Sequence, residues 1–100
     1  MVTASATIKE QAEKYLFQNY GSRQLTLVRG EGVYVWDADD RRYVDLLSGL
    51  GVNNLGHCHP NIVDAICKQA ETLLHISNLY LIEPQVELAR LLVEHSRSEE

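Results

Sequence analysis

A chain of 100 residues with 45% hydrophobic content and a net charge of −5 is long enough for one modest domain that buries roughly two thirds of its unfolded surface. Arg41 and Arg42 are the only adjacent cations, which excludes a phosphate-neutralising stripe and with it a nucleic-acid partner. No apolar run reaches the roughly 18 residues that span a bilayer, residues 1–13 lack the charged and apolar regions of a secretory signal, and Cys58 and Cys67 make no disulfide framework, so a reduced, cytoplasmic chain with no membrane partner is expected.

Thr7 and Glu10 form a capping box ahead of an apolar stripe of Ile8, Ala12, Tyr15 and Leu16. This predicts a helix over about residues 8–18, with Glu10 and Lys14 paired one turn apart and residues 1–6 frayed. Asn19 and Gly21 tolerate the left-handed conformation that ends a helix. Three segments rich in β-branched and aromatic residues follow, at about 25–29, 33–37 and 42–47, and their short polar turns predict an antiparallel meander. Gly30-Glu31-Gly32 and Asp37-Ala38-Asp39-Asp40 are turn chemistry that needs no ligand. Along the second strand Val33, Val35 and Asp37 alternate with Tyr34 and Trp36, so both faces are expected to be partly covered, with the two aromatics in a core or interface.

From Ser48 the pattern breaks into SGLGVNNLGHCHP, which is loop composition. Pro60 then opens a helix, where its missing amide costs nothing. Ile62, Val63, Ile66, Ala70, Leu73 and Leu74 carry that helix to about residue 74. An irregular stretch over 75–83 leads to Pro84 and a further helix whose apolar side is Val86, Ala89, Leu92 and Val93, or a variant with Leu88 and Leu91. The closing HSRSEE has no core content. The class is α+β: a helix, a three-stranded meander, a Gly/His-rich loop and two helices, with a seam near 77–83 that divides residues 1–76 from 77–100.

Lys9, Lys14 and Lys68 fall on polar helix sides, where water keeps an amine protonated and poorly nucleophilic, so no catalytic lysine is expected. His57, Cys58 and His59 offer two imidazoles and a thiol to zinc, yet a closed structural site needs four ligands and a catalytic one usually three. His75 and His95 cannot be assigned as partners. The competing reading is a turn in which His59 caps the Pro60 helix and His57 hydrogen-bonds backbone.

The ordered set VRGEGVYVWDADDRRYVDLLSG, VNNLGHCHPNIVDAICKQ and HISNLYLIEPQVELARLL resembles the N-terminal segment of class III pyridoxal phosphate-dependent aminotransferases, over roughly residues 20–95. Within that class the VN-x-LGH-x-HP loop and the SNLY stretch are most similar to the acetylornithine-specific branch. The resemblance implies the opening part of a fold-type-I transaminase, a homodimer that moves an amino group between N-acetylornithine and 2-oxoglutarate in arginine biosynthesis. It further implies that the Schiff-base lysine, the carboxylate on the ring nitrogen and the phosphate cradle lie downstream of the residues present, so that this polypeptide alone binds no cofactor and is inactive.

By the same resemblance Tyr20, Leu50, Val52 and Asn53 are substrate-pocket residues, and Asn78 and Tyr80 face the partner subunit's active site. Tyr20 would donate from its phenol to a substrate carboxylate, and Leu50 stands where ornithine aminotransferases carry an aromatic residue, which favours an acylated donor. Each also has a plain reading: Tyr20 packed behind the first helix, Leu50 packed in its loop, Asn78 and Tyr80 satisfied as loop polar groups. Asp40 departs from the glycine usual at that turn, and an aspartate there in the left-handed region costs about 1 kcal/mol or less. Ornithine, succinylornithine and 4-aminobutyrate stay open as donors. So does a different class of protein, a non-catalytic α+β module docking through the hairpin of residues 33–47.

Overall fold

The computed structural model describes residues 1–96, and the acidic tail read as lacking core content lies outside them from residue 97 onward. The chain divides after Ile66 into two compact units. The first helix, α1 (Ala4–Tyr15), begins earlier than its local capping box predicts. Thr3 is the N-cap, its hydroxyl oxygen accepting from the Ala6 amide at 3.2 Å. A second acceptor comes from far along the chain, since the Asp39 carboxylate takes the Ser5 amide at 3.2 Å. That bond is the largest of the influences holding the Asp39 carboxyl below its ordinary range. With two of the orphan amides of its first turn satisfied, the helix starts at Ala4 where fraying was expected, and Thr7 sits inside it, donating to the Thr3 carbonyl. Lys14 extends over the Tyr15 ring at 5.1 Å. The helix ends at Leu16, where the Gln18 side-chain amide donates to the carbonyls of Ala12 and Leu16, and Gly21 follows with φ +72°.

Strands β1 (Leu27–Glu31), β2 (Tyr34–Asp37) and β3 (Arg42–Val44) form the expected antiparallel meander in the order β1-β2-β3. β1 is bulged: Leu27 pairs with Asp37 and Arg29 with Trp36, so that Val28 is extra. β3 is shorter than the pattern predicts because Asp45 turns the chain, its Oδ1 accepting from the amides of Leu47 and Ser48 at 2.9 Å each. On one face of the sheet the Arg29 guanidinium lies 3.7 Å over the Trp36 ring and the Arg42 guanidinium 4.5 Å over Tyr34, a pair of stacked contacts worth about 0.5–1 kcal/mol each at an exposed site. Tyr34 and Trp36 thus serve a cationic surface ladder.

The opposite face holds the core of this unit. Val35 is 7% exposed and Asp37 5%. The buried carboxylate is fully partnered: Oδ1 accepts from the Asp39 and Arg41 amides and Oδ2 from the Tyr43 hydroxyl, all at 2.9 Å. The Arg41 amide does most to lower the Asp37 pKa, against the opposing effect of burial, while the bond to Asp37 pushes the Tyr43 phenol up. Asp40 does adopt the left-handed region, with φ +63°.

After β3 comes a short turn, α2 (Ser48–Gly51), and then α3 (Pro60–Thr72), opened by its proline as expected. In the second unit α4 (Glu83–Ser96) carries Arg90 between Glu87 and Glu94 at 2.6 and 2.5 Å, and the guanidinium holds the Glu87 carboxyl below its usual range. α3 stops at Thr72, short of the expected end near residue 74, and the apolar stripes of both helices are present but uncovered: Ile62, Ile66, Leu88 and Leu92 are all exposed.

Because the folded Asp37 pKa is depressed, its contribution to stability is present above the ordinary carboxylate range and is lost as pH falls through the lowered value. Asp37→Asn removes an acceptor from Tyr43 and abolishes that dependence. We expect a lower thermal midpoint for the variant at neutral pH and a shallower loss of stability down through about pH 4 than in the wild type. Equal midpoints at neutrality would show that the carboxylate is dispensable.

Candidate functional site

The segment between β3 and α3 is read from its composition as irregular, but it is built around two ties. The first is backbone. Gly32 and His57 exchange both hydrogen bonds, Gly32 N to His57 O at 3.0 Å and His57 N to Gly32 O at 2.8 Å, so the LGH run is laid antiparallel against the β1–β2 turn. Two glycines permit this approach. A Cβ on Gly30 would lie 2.7 Å from His57 Cγ, and one on Gly56, whose φ is +83°, would lie 3.0 Å from the Cα and carbonyl oxygen of Gly32.

The second tie is between side chains. His57 Nε2 lies 2.6 Å from Asp45 Oδ2, with both side chains largely shielded. Asp45 therefore accepts on both oxygens: from Leu47 and Ser48 on Oδ1 and at His57 on Oδ2. The Ser48 amide is the leading cause of its lowered pKa, the His57 bond the next.

Immediately beyond, four successive residues have positive φ: Ser48 at +55°, Gly49 at +61°, Leu50 at +65° and Gly51 at +79°. The result is one turn of left-handed helix, closed by Gly51 N and Leu50 N on the Leu47 carbonyl and by Val52 N and Asn53 N on the Ser48 carbonyl. Glycine meets this conformation freely, but Ser48 and Leu50 each bear about 1–2 kcal/mol of steric cost. The loop is thus ordered, and ordered in a strained form.

Of the residues expected at the substrate side, Leu50, Val52 and Asn53 are brought together by this turn. Leu50 is 82% exposed, with its neighbour Val52 also outward, while Asn53 is half-buried between two concavities. One, of about 260 Å³, is polar and bounded by Asp45, Ser48, Asn53, Asn54 and His57. The other, of about 610 Å³, is lined by Leu25, Leu27, Val35, Leu46 and Leu47. Tyr20 stands apart from both concavities, 81% exposed, with the Arg23 guanidinium 5.6 Å from its ring. Asn78 and Tyr80 are exposed in the second unit, in a turn closed by Tyr80 N on the Ser77 carbonyl at 3.1 Å.

His59 does cap the Pro60 helix, its Nδ1 accepting from the Asn61 amide at 3.2 Å. His57 does more than bond backbone. Its ring pairs with Asp45, a contact that sequence reasoning missed; the local signal was an aspartate two and three residues before amides in need of an acceptor, an Asx turn. Among the described residues no three His, Cys, Asp or Glu side chains gather as a metal site. As for the lysines, Lys9 is half-buried and donates to Gln24 Oε1 at 3.1 Å, and Lys14 and Lys68 are exposed.

The family model for Aminotransferase class-III matches residues 16–100. The chain is 55% identical over 84 residues to an acetylornithine aminotransferase of Methanocaldococcus jannaschii, covering 84% of this chain and 21% of that protein. Among solved structures, it superposes with a TM-score of 0.84 on the acetylornithine aminotransferase of Elizabethkingia anophelis, at 36% identity over 90% of this chain and 22% of the other. An ornithine δ-aminotransferase of Plasmodium falciparum gives a TM-score of 0.85 at 35% identity, over 92% of this chain and 24% of that one. The chain spans 21% of the length of the curated relative it matches, and with its helix and three-stranded meander it belongs to the class-III aminotransferase family.

Proposed function

We propose that the chain is the N-terminal portion of a cytoplasmic, homodimeric aminotransferase that moves an amino group between N-acetylornithine and 2-oxoglutarate in arginine biosynthesis. The observation that carries this reading is the identity to relatives bearing that name over most of the chain. Leu50 supports it chemically: an exposed aliphatic side chain on a fixed turn suits an acylated, uncharged donor tail better than the cationic end of free ornithine. A second reading, ornithine as donor, is favoured by the equally good superposition on ornithine aminotransferases.

Class III aminotransferases are pyridoxal phosphate enzymes, and the residues present here do not fit that cofactor. Lys9 is engaged by Gln24, Lys14 lies beside Tyr15, and Lys68 stands exposed on α3, so none is placed as a Schiff-base nucleophile. In this reading the segment contributes walls to the substrate site: Leu50, Val52 and Asn53 from the left-handed turn, and Tyr20 from the stretch after α1. Asn78 and Tyr80 would serve the partner's site in the dimer.

The 100-residue chain mixed with pyridoxal phosphate is expected to show no Schiff-base absorbance that survives gel filtration. A retained band mapping to one lysine would overturn the assignment of the cofactor elsewhere. In the full-length enzyme, glutamate formation from 2-oxoglutarate should be faster with N-acetylornithine than with ornithine by at least about tenfold in kcat/KM, and Leu50→Tyr should narrow that ratio by a similar factor. A ratio of one or below in the wild type would transfer the assignment to ornithine.

A further inference from the structure

We propose that Asp45 and His57 are positioning residues that latch the left-handed turn, and so set where Leu50 and Asn53 stand in the substrate site; the second half of this rests on the aminotransferase reading above. Ser48 and Leu50 are held in a backbone region that L-residues avoid, and such a conformation persists only where its surroundings over-determine it. Within the turn, the carbonyls of Leu47 and Ser48 are occupied by the amides of residues 50–53, but those bonds would be equally available to other turn geometries.

What selects this one is the entry. The amides of Leu47 and Ser48 both point at Asp45 Oδ1, which fixes the chain direction at the first left-handed residue. Asp45 cannot swing away, because its other oxygen is held at 2.6 Å by His57 Nε2. His57 in turn is anchored by its own backbone to Gly32, and its ring sits against Gly30 with no room for a β-carbon between them. A continuous line of contacts therefore runs from the rigid end of the β1–β2 hairpin through one imidazole and one carboxylate to the residues that present Leu50. Neither Asp45 nor His57 needs to touch a substrate for this to matter, since a small misplacement of a binding group costs far more than the contact that was lost.

The test is hydrogen exchange by mass spectrometry on the full 100-residue chain, comparing peptides from residues 45–57 with peptides from α4. In wild type the amides of 47–53 should be protected. Asp45→Asn and His57→Ala should each speed their exchange by about tenfold or more while α4 stays within about twofold, and the double variant should be no worse than either single one. His57→Gln, which keeps a donor nitrogen at a similar reach, should restore most of the protection. An unprotected wild-type loop, a rise in exchange shared equally by α4, or failure of the Gln variant to outperform Ala would each overturn the latch. In the full-length enzyme, His57→Ala should raise the KM for N-acetylornithine by about tenfold with kcat within about twofold, the pattern of lost uniform binding. A fall in kcat at unchanged KM would overturn the positioning role. Absence of wild-type turnover would instead sink the aminotransferase reading and leave the exchange result standing.

Discussion

The double hydrogen bond between Gly32 and His57 is the constraint on which the rest of the first unit turns. A three-stranded meander with one deeply buried valine is a thin foundation. The bridge adds a third pairing to the two between its strands and brings the long excursion after β3 back to the sheet. Everything with chemical interest in this segment hangs from that return: the imidazole is delivered to Asp45, Asp45 delivers its other oxygen to the next two amides, and the chain is thrown into a left-handed turn. The glycines that stand out in the sequence are explained by crowding at this junction as much as by turn preference, since Gly30 lies against the His57 ring and Gly56 lies against the backbone of Gly32.

Apolar residues are distributed in two very different ways. On the meander, Val35 is enclosed while the aromatics of the other face are roofed by arginines that remain in water. On α3 and α4, the stripes expected from periodicity are correctly placed but open to solvent, including Ile66 and Leu92. Exposed apolar stripes of this kind mark interaction faces.

Much of this was legible from the amino acids. The meander follows from three short alternating runs with turn residues between them and α3 from a proline followed by a helical stripe, while the left-handed Asp40 follows from the resemblance, which puts a glycine at that turn. The misreadings share a cause. Thr7-x-x-Glu10 is a better local cap than Thr3, yet the helix begins at Ala4 because an aspartate 34 positions away takes the Ser5 amide. Likewise the composition of SGLGVNNLGHCHP reads as irregular, because the order depends on a pairing that composition does not show, between Asp45 just before the stretch and His57 within it, 12 positions apart. Local propensity fails where the partner is remote, as it is for the Ser5 amide on Asp39, the His57 ring on Asp45 and the His57 backbone on Gly32.

The handedness of the Ser48–Gly51 turn has a chemical corollary. Its backbone is the mirror image of an ordinary helical turn, so the steric rule that penalises L-residues there favours their enantiomers. D-alanine introduced at Gly51 by peptide ligation would match the φ of +79° there and would restrict the unfolded polymer more than glycine does. The ribosome has no such monomer, which leaves glycine as its unstrained option at these positions and makes the turn one of the few places in this polypeptide where synthesis can improve on the genetic code.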